Sequence, residues 1–253
     1  MYQFLKQIVR QLIPPKMLRR YERGLRQLAA WPYRGSRYVC TVCDFSLSRF
    51  VALPTGDLLC PRCGSLPRTR RLWQILDQRI GLSGKRVLHF SPPRCLTDRL
   101  GKTDVGDYVT TDYAGEFTAD KRLDITSIAE ADATYDLIVC YHVLEHVEQD
   151  QQAMRELCRI LRPGGQCLIQ TPFKDGAIYE NPAVTTPEER LIHFGQDDHV
   201  RIYSVAGLQE RLTKAGFAVE VLTFTEAPDN RHGFKAKEQV LLAQKSRKFY
   251  YRN

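Results

Sequence analysis

From Lys85 onward, short apolar segments of strand character alternate with amphipathic helical ones, and this alternation restricts the fold more than any other feature of the 253 residues. RVLHF, DYVTTDY, KRLDI, YDLIVCYH and QCLIQT read as strands. A short helix from Leu96 and the helix DQQAMRELCRIL fall between them, with RPGG as a turn. Strands separated by helices cannot pair as hairpins. Each connection is a crossover, and the result is a parallel sheet covered by helices on both faces. After an irregular insertion, residues 172–203, the helix SVAGLQERLTKAG leads to FAVEVLTF and QVLLAQK, a final pair of strands. The expected class is α/β.

The front of the chain has a different character. Residues 1–71 hold 14 Lys/Arg against 3 Asp/Glu, although the whole chain is only +8. A basic block of this kind attracts RNA, anionic lipid or an acidic partner, or serves as a solvated face. Phe4, Leu5, Ile8, Val9, Leu12 and Ile13 recur at helical intervals until Pro14 and Pro15 stop them, and the basic helical stretch KMLRRYERGLRQLAA follows. Docking of these helices on the protein's own domain is the first expectation, and contact with a membrane surface the second. No apolar run approaches the roughly 20 residues that a bilayer span needs, and Lys6 and Arg10 interrupt any signal-type stretch, so a cytoplasmic protein is expected.

Four of the eight cysteines are paired in sequence: Cys40, Cys43, Cys60 and Cys63 spell Cys-x2-Cys-x16-Cys-x2-Cys. Two such knuckles can close four thiolates into the tetrahedron that structural zinc prefers, with no position left for water. Cys95, Cys140, Cys158 and Cys167 show no ligand spacing and read as buried thiols. Pro67 then opens a helix, RTRRLWQILDQRIGL, which Gly81 and Gly84 close. The expected organisation is a basic helical segment (1–37), a zinc ribbon (38–66), a connecting helix (67–84), the α/β domain (85–245) and a basic tail (246–253).

Open parallel sheets bind ligands outside the carboxyl ends of their strands. His89, Phe90 and Ser91 end the first strand, and Asp112 and Tyr113 the second, where an acid can accept two hydrogen bonds from a ribose diol. Asp124 and Ile125 end the third, suited to an exocyclic amine and an adenine face; His142, Glu145 and His146 follow the fourth. Two acids with an aromatic and imidazole rim suit a nucleoside better than a polyphosphate, and no Walker loop is present.

YDLIVCYHVLEHVEQDQQAMRELCRILRPGGQCLIQTP, continued by FGQDDHVRIYS and RLTKAGFAVEV, resembles class I S-adenosylmethionine-dependent methyltransferases of the type-11 kind. CTVC, CPRCGSLPRTRRLW, VLHFSPP, TTDY, HVLEHV and TPEERLIHFGQDDHVRIYS, in this order, are similar to a bacterial subgroup with an N-terminal zinc ribbon, over roughly residues 15 to 245. The resemblance implies a Rossmann-like, mostly parallel sheet with an antiparallel last strand, S-adenosylmethionine as cofactor, and methyl transfer. The subgroup often carries an acid where this chain has Pro93; Pro92 and Pro93 could supply a stiff turn in place of glycines by limiting φ.

In-line transfer from a sulfonium needs positioning, and a base when the acceptor loses a proton. His146, expected to begin the helix after strand four, and His193 and His199, in the insertion, are the candidates for the base, with His146 and His199 placed first and an Asp198–Arg201 pair as the structural alternative for that loop. A small molecule, a sugar or a lipid-linked glycan is the expected acceptor. RNA bound by the basic front is an alternative, and a non-catalytic cofactor-binding scaffold another.

Overall fold

The two Cys-x-x-Cys pairs fold into near-identical turns. In the first, Asp44 N–H donates to Cys40 O at 2.9 Å and Cys40 N–H to Phe45 O at 3.0 Å; in the second, Gly64 N–H donates to Cys60 O and Cys60 N–H to Ser65 O, both at 2.9 Å. The residue after each second cysteine takes a left-handed backbone, φ +56° at Asp44 and +80° at Gly64, which is why an Asp and a Gly stand there. The computed structural model describes residues 15–115 and 119–246, with side chains from Tyr21 onward. The apolar repeat of the first 13 residues and the basic tail from Arg247 lie outside the described residues.

Around these turns lie α1 (Pro15–Ala29), β1 (Arg34–Val39), β2 (Ser46–Leu47), β3 (Val51–Ala52), β4 (Leu58–Leu59), α2 (Pro67–Ile75, prolonged by the π-type turn Leu76–Ile80) and α3 (Arg94–Leu100). β1 pairs with β2 and β3 with β4, both antiparallel. This first unit comprises the described part of Met1–Leu82 together with Pro93–Lys102 and Thr225–Glu238. The last segment attaches by Val39 N–H to Arg231 O (3.0 Å) and by His232 Nδ1 to Val39 O (2.9 Å). Arg70, fully buried, organises it: its guanidinium donates to the carbonyls of Leu58, Ser65, His232 and Gly233 and lies 4.1 Å from the Phe50 ring centre.

The second unit comprises Ser83–Pro92, Thr103–Phe224 and the described residues from Gln239 on. Its strands are β5 (Arg86–Phe90), β6 (Asp107–Thr111), β7 (Tyr135–Tyr141), β8 (Leu161–Gln170), β9 (Tyr179–Glu180), β10 (Arg201–Ile202), β11 (Phe217–Thr225) and β12 (Lys237–Lys245). Its helices are α4 (Asp150–Ile160), α5 (Pro187–Phe194) and α6 (Val205–Lys214). Six strands form one sheet in the order β11-β12-β8-β7-β5-β6. β6, β5, β7 and β8 are parallel, and β12 runs antiparallel to β8. The parallel core is what the alternation implied, and with the antiparallel β12 it is the Rossmann-like sheet that the resemblance implied. On one face Leu88, Phe90, Ile138, Cys140, Cys167 and Ile169 pack against Met154 and Leu157 of α4 and Leu208 and Leu212 of α6. Each fully buried aliphatic side chain there contributes about 1.5–3 kcal/mol.

Four expectations change. KRLDI is not a strand: its ladder pairing with β6 is limited to the isolated bridge Thr111–Lys121, with Asp120 capping Thr110 before it and Asp124 starting a turn at Thr126 after it. RPGG is not a free turn but an irregularity inside β8, where the pairing skips from Tyr135–Leu161 to Leu137–Gln166. The insertion is not irregular: β9 pairs with β10, and α5 starts on a capping box between Thr186 and Glu189. Arg201 does not pair with Asp198; it bonds Glu180 at 3.0 Å and the carbonyls of Leu144, Val147 and Glu148. Arg201 and Asp150 are both buried, and Tyr203 OH donates to Asp150 at 2.6 Å, so this network ties the insertion to the start of α4.

Candidate functional site

The residues that end β5 and β6 hold one another. Ser91 adopts φ +45°, unusual for a residue with a Cβ, its N–H donates to Thr111 O at 2.7 Å, and its Oγ donates to Asp112 Oδ1 at 2.8 Å. Asp112 is buried, 6% exposed, with its carboxylate at the strand ends. Thr111 Oγ1 accepts Leu123 N–H at 3.1 Å, and so fixes the segment that buries Ile125. Tyr113 is 59% exposed, with the Arg122 guanidinium 5.3 Å from its ring centre. Asp124 is exposed and accepts from Thr126 Oγ1 and N–H, at 2.7 and 2.8 Å; these bonds lower its pKa. Phe90 lies within the core.

His89 departs from its expected place. Its ring is fully buried and its Nδ1 lies 3.0 Å from Tyr108 OH across the β5–β6 pair. Desolvation alone pulls its pKa down to about 3. Strand alternation turns it away from the face that Leu88 and Phe90 share, so its side chain is a packed neutral imidazole and not a ligand contact.

At the end of β7, His142 also has a left-handed backbone, φ +53°, and its N–H donates to Gln170 O at 2.8 Å. Its Nδ1 lies 3.1 Å from Glu145 Oε1. Glu145 is 1% exposed; burial pushes its carboxyl up, but the hydrogen bond and charge of His142, a backbone N–H and the charge of His146 outweigh that and leave it below its ordinary pKa. His146 is not on a helix start as expected: it closes the 3-10 turn Leu144–His146, three residues short of α4's N-cap, Gln149. Its Nδ1 is 3.1 Å from Asp198 Oδ2, and its ring meets that of His199 edge-on, with centroids 4.7 Å apart. Burial, then the charge of His146, lowers the pKa of His199 and favours its neutral form. One donor atom each from Glu145, His146 and His199 falls within 4.8 Å of the others.

The end of β8 also carries polar groups, which the sequence alone does not single out. There Gln170 Oε1 and Thr171 Oγ1 are buried without a hydrogen-bond partner, as are His142 Nε2 and Glu145 Oε2. The only signal available was that QCLIQT ends at a strand terminus, where polar residues face ligands in such sheets.

In the first unit Cys40, Cys43, Cys60 and Cys63 come together, with Cys40 Sγ–Cys63 Sγ 3.7 Å and Cys43 Sγ–Cys60 Sγ 3.8 Å. A tetrahedron of sulfurs about 2.3 Å from a zinc ion has edges of about 3.8 Å. The donor set fits such an ion.

A family model described as a methyltransferase domain matches residues 84–222. A Mycolicibacterium smegmatis protein named as a probable S-adenosylmethionine-dependent methyltransferase is 37% identical over 89 residues, which is 35% of this chain and 31% of that relative's length. Among solved structures, the [4+2]-cyclase SpnF superposes with a TM-score of 0.50 at 14% identity, over 71% of this chain and 82% of that one. An S-adenosylmethionine dependent methyltransferase from Mesorhizobium loti gives 0.49 at 15% identity, over 71% and 98%. The likeness to SpnF concerns the fold alone. Because the matched stretch is more than half of the sequence and contains strands β5 to β8 with the residues that end them, the chain belongs to the methyltransferase-domain family.

Proposed function

We propose that the second unit is an S-adenosylmethionine-dependent methyltransferase acting on a small-molecule, sugar or lipid-linked glycan acceptor. The observation that carries this reading is the Ser91–Asp112 pair: adjacent parallel strands end in a strained serine and a buried carboxylate joined at 2.8 Å. Such a carboxylate suits a ribose diol, and backbone strain at a strand end is a feature of ligand sites. The residues present fit the cofactor. Asp112 would hold the ribose, Ile125 and Asp124 would meet the base, and Ser91, Phe90 and Tyr113 would line the approach. His142, whose Nε2 is buried without a partner, would face the reacting end. When bound, the cofactor supplies an already activated methyl group, so the chain's task is orientation and exclusion of water. His146, from the turn after β7, and His199, from the insertion that also carries Asp198 and Arg201, would meet the acceptor.

Asp112→Ala is expected to weaken S-adenosylhomocysteine binding at least 30-fold, about 2 kcal/mol, the range for a hydrogen bond to a charged group. Calorimetry with circular dichroism as a fold check measures this, and an unchanged affinity removes the ribose assignment. Incubation with methyl-labelled cofactor and fractionated cell extract identifies the acceptor. Label in lipid, glycan or small-molecule fractions supports the reading; a tightly bound cofactor with every fraction unlabelled would make the chain a non-catalytic binder.

RNA as acceptor has one specific observation in its favour. By sequence the first unit carries 21 Lys/Arg against 8 Asp/Glu. Within it a cavity of about 690 Å³ is lined by Arg23, Arg26, Arg62, Arg94, Arg99 and Lys102, together with three acids. A steep fall of RNA affinity with salt would support that surface, and no binding at low salt would exclude it. The four thiolates of the same unit are proposed to hold structural zinc.

A further inference from the structure

We propose that the exposed face of α1, together with the turn that follows it, is a docking surface for an anionic lipid bilayer. The helix has two sides. One is tied to its own unit: Glu22 accepts from Arg26 at 2.7 Å and from Arg94 of α3 at 3.4 Å, Arg23 pairs with Asp98, and Ala30, just past the helix, is buried. The other side presents apolar residues to water. Tyr21 (51% exposed) and Leu28 (76%) stand roughly two helical turns apart and so share a face. Trp31 (67%) extends that row at the start of the 3-10 turn Trp31–Tyr33. Three of the six large apolar side chains that are exposed among the described residues thus fall within eleven consecutive positions.

Charge complementarity identifies the occupant. By sequence, residues 15–39 carry seven Lys/Arg (Lys16, Arg19, Arg20, Arg23, Arg26, Arg34 and Arg37) against one acid, Glu22. Arg34, Arg37 and Arg49 are exposed and form no ion pair among the described residues. Two of them border the apolar row directly: the Arg34 guanidinium lies 4.2 Å from the Trp31 ring centre, and that of Arg49 lies 5.4 Å from the ring centre of Tyr33 in the same turn. An indole and a leucine rimmed by unneutralised guanidinium groups match the boundary layer of a membrane. There the apolar bodies enter the acyl region, while long basic side chains reach the headgroup phosphates. Attachment of this kind adds buried apolar area to electrostatic attraction, and the surface offers both.

Other occupants suit the face less well. A single-stranded nucleic acid uses aromatic rings as stacking platforms, but Arg34 already covers one face of the Trp31 ring, and Leu28, the most exposed residue of the row, has no π-face to offer. A second copy would bury the same apolar residues, yet a symmetric contact would also bring the same uncompensated arginines together, and like charges across an interface are costly. The surface lies in the first unit, and its test needs neither cofactor nor turnover. Its failure would therefore leave the methyl-transfer reading untouched.

Sedimentation of the full chain with lipid vesicles tests the surface. Binding is expected to vesicles that contain phosphatidylglycerol and not to pure phosphatidylcholine, and it should weaken as salt is raised. Trp73 is buried, so a blue shift of tryptophan emission on binding, and its quenching by brominated lipid, report Trp31. Leu28→Ser and Trp31→Ser are each expected to lower the partition coefficient about tenfold, and Arg34→Ala and Arg37→Ala about fivefold each. Exposed positions accept such changes with little effect on stability, which circular dichroism and melting curves check. Ile192→Ser removes an equally exposed apolar residue from the second unit and should change nothing. Absence of vesicle binding at low salt, wild-type partition in both Leu28→Ser and Trp31→Ser, or an equal loss in Ile192→Ser overturns the proposal. So does a chain that ignores vesicles but binds single-stranded RNA, or dimerises with concentration, in a manner abolished by Trp31→Ser.

Discussion

Cys60→Ser is expected to strip the chain of a tightly held zinc ion and to unfold the first unit. The reason is the small amount of regular structure that surrounds the cysteines: β2, β3 and β4 are two residues long, and Cys40 and Cys60 are themselves part of the buried core. A segment of that size cannot offset its conformational entropy by burial alone. Zinc binding to four thiolates supplies about 10–16 kcal/mol in comparable modules, and this becomes folding free energy when the site exists only in the folded state. Both tryptophans of the chain, Trp31 and Trp73, lie in this unit, so their fluorescence reports on it without interference from the other. Mercurial titration of the wild-type thiols should release zinc in step with the fluorescence change. A zinc-free Cys60→Ser protein with native fluorescence and an unshifted melting curve would show that the four thiols are idle.

Arg70→Met should destabilise the same unit by about 3–5 kcal/mol, the range for removing one partner from a buried charged network. The substitution keeps the aliphatic stem but removes donors to four carbonyls, at 2.6 to 3.0 Å. Two of those carbonyls belong to His232 and Gly233, so the segment that follows β11 loses its attachment along with its hydrogen bonds. Burial lowers the Arg70 pKa, and the charges of Cys40, Cys60 and Cys63 oppose that shift. With zinc bound as proposed, the four-thiolate site would carry a net negative charge and the buried guanidinium would serve as its counterion. Arg70→Lys, which retains the charge with three donors, should recover part of the loss. Denaturant unfolding followed by tryptophan emission measures both, with exposed Arg155→Ala as a control expected within about 0.5 kcal/mol of wild type. A loss in Arg70→Met no larger than that of the control would mean that the four carbonyls find other donors.

The strand ends show how far side-chain type alone carries. Asp112 was legible because an acid at the end of the second strand has few other uses, and it does sit buried at that edge. His89 was misread, since the same rule points to every residue near a strand end and does not say which face an odd-numbered position takes. One residue of register separates a packed imidazole from a ligand contact. Gln170 and Thr171 escaped notice because neutral polar residues stand out only when burial has removed water from them, and burial is not visible in a string of letters.

Local physics is what the sequence by itself determined: the period of the apolar residues set strands and helices, and the spacing of the cysteines set two matched turns. Both depend on neighbours within a few positions, where propensity and spacing act directly. Tertiary structure alone decided that residues 93–102 and 225–238 build the first unit, that Arg70 bonds a carbonyl 163 positions away, and that His199 meets Glu145 and His146. Those contacts close long loops, whose entropy is recovered only when the whole unit packs at once. No short window of the chain contains that information.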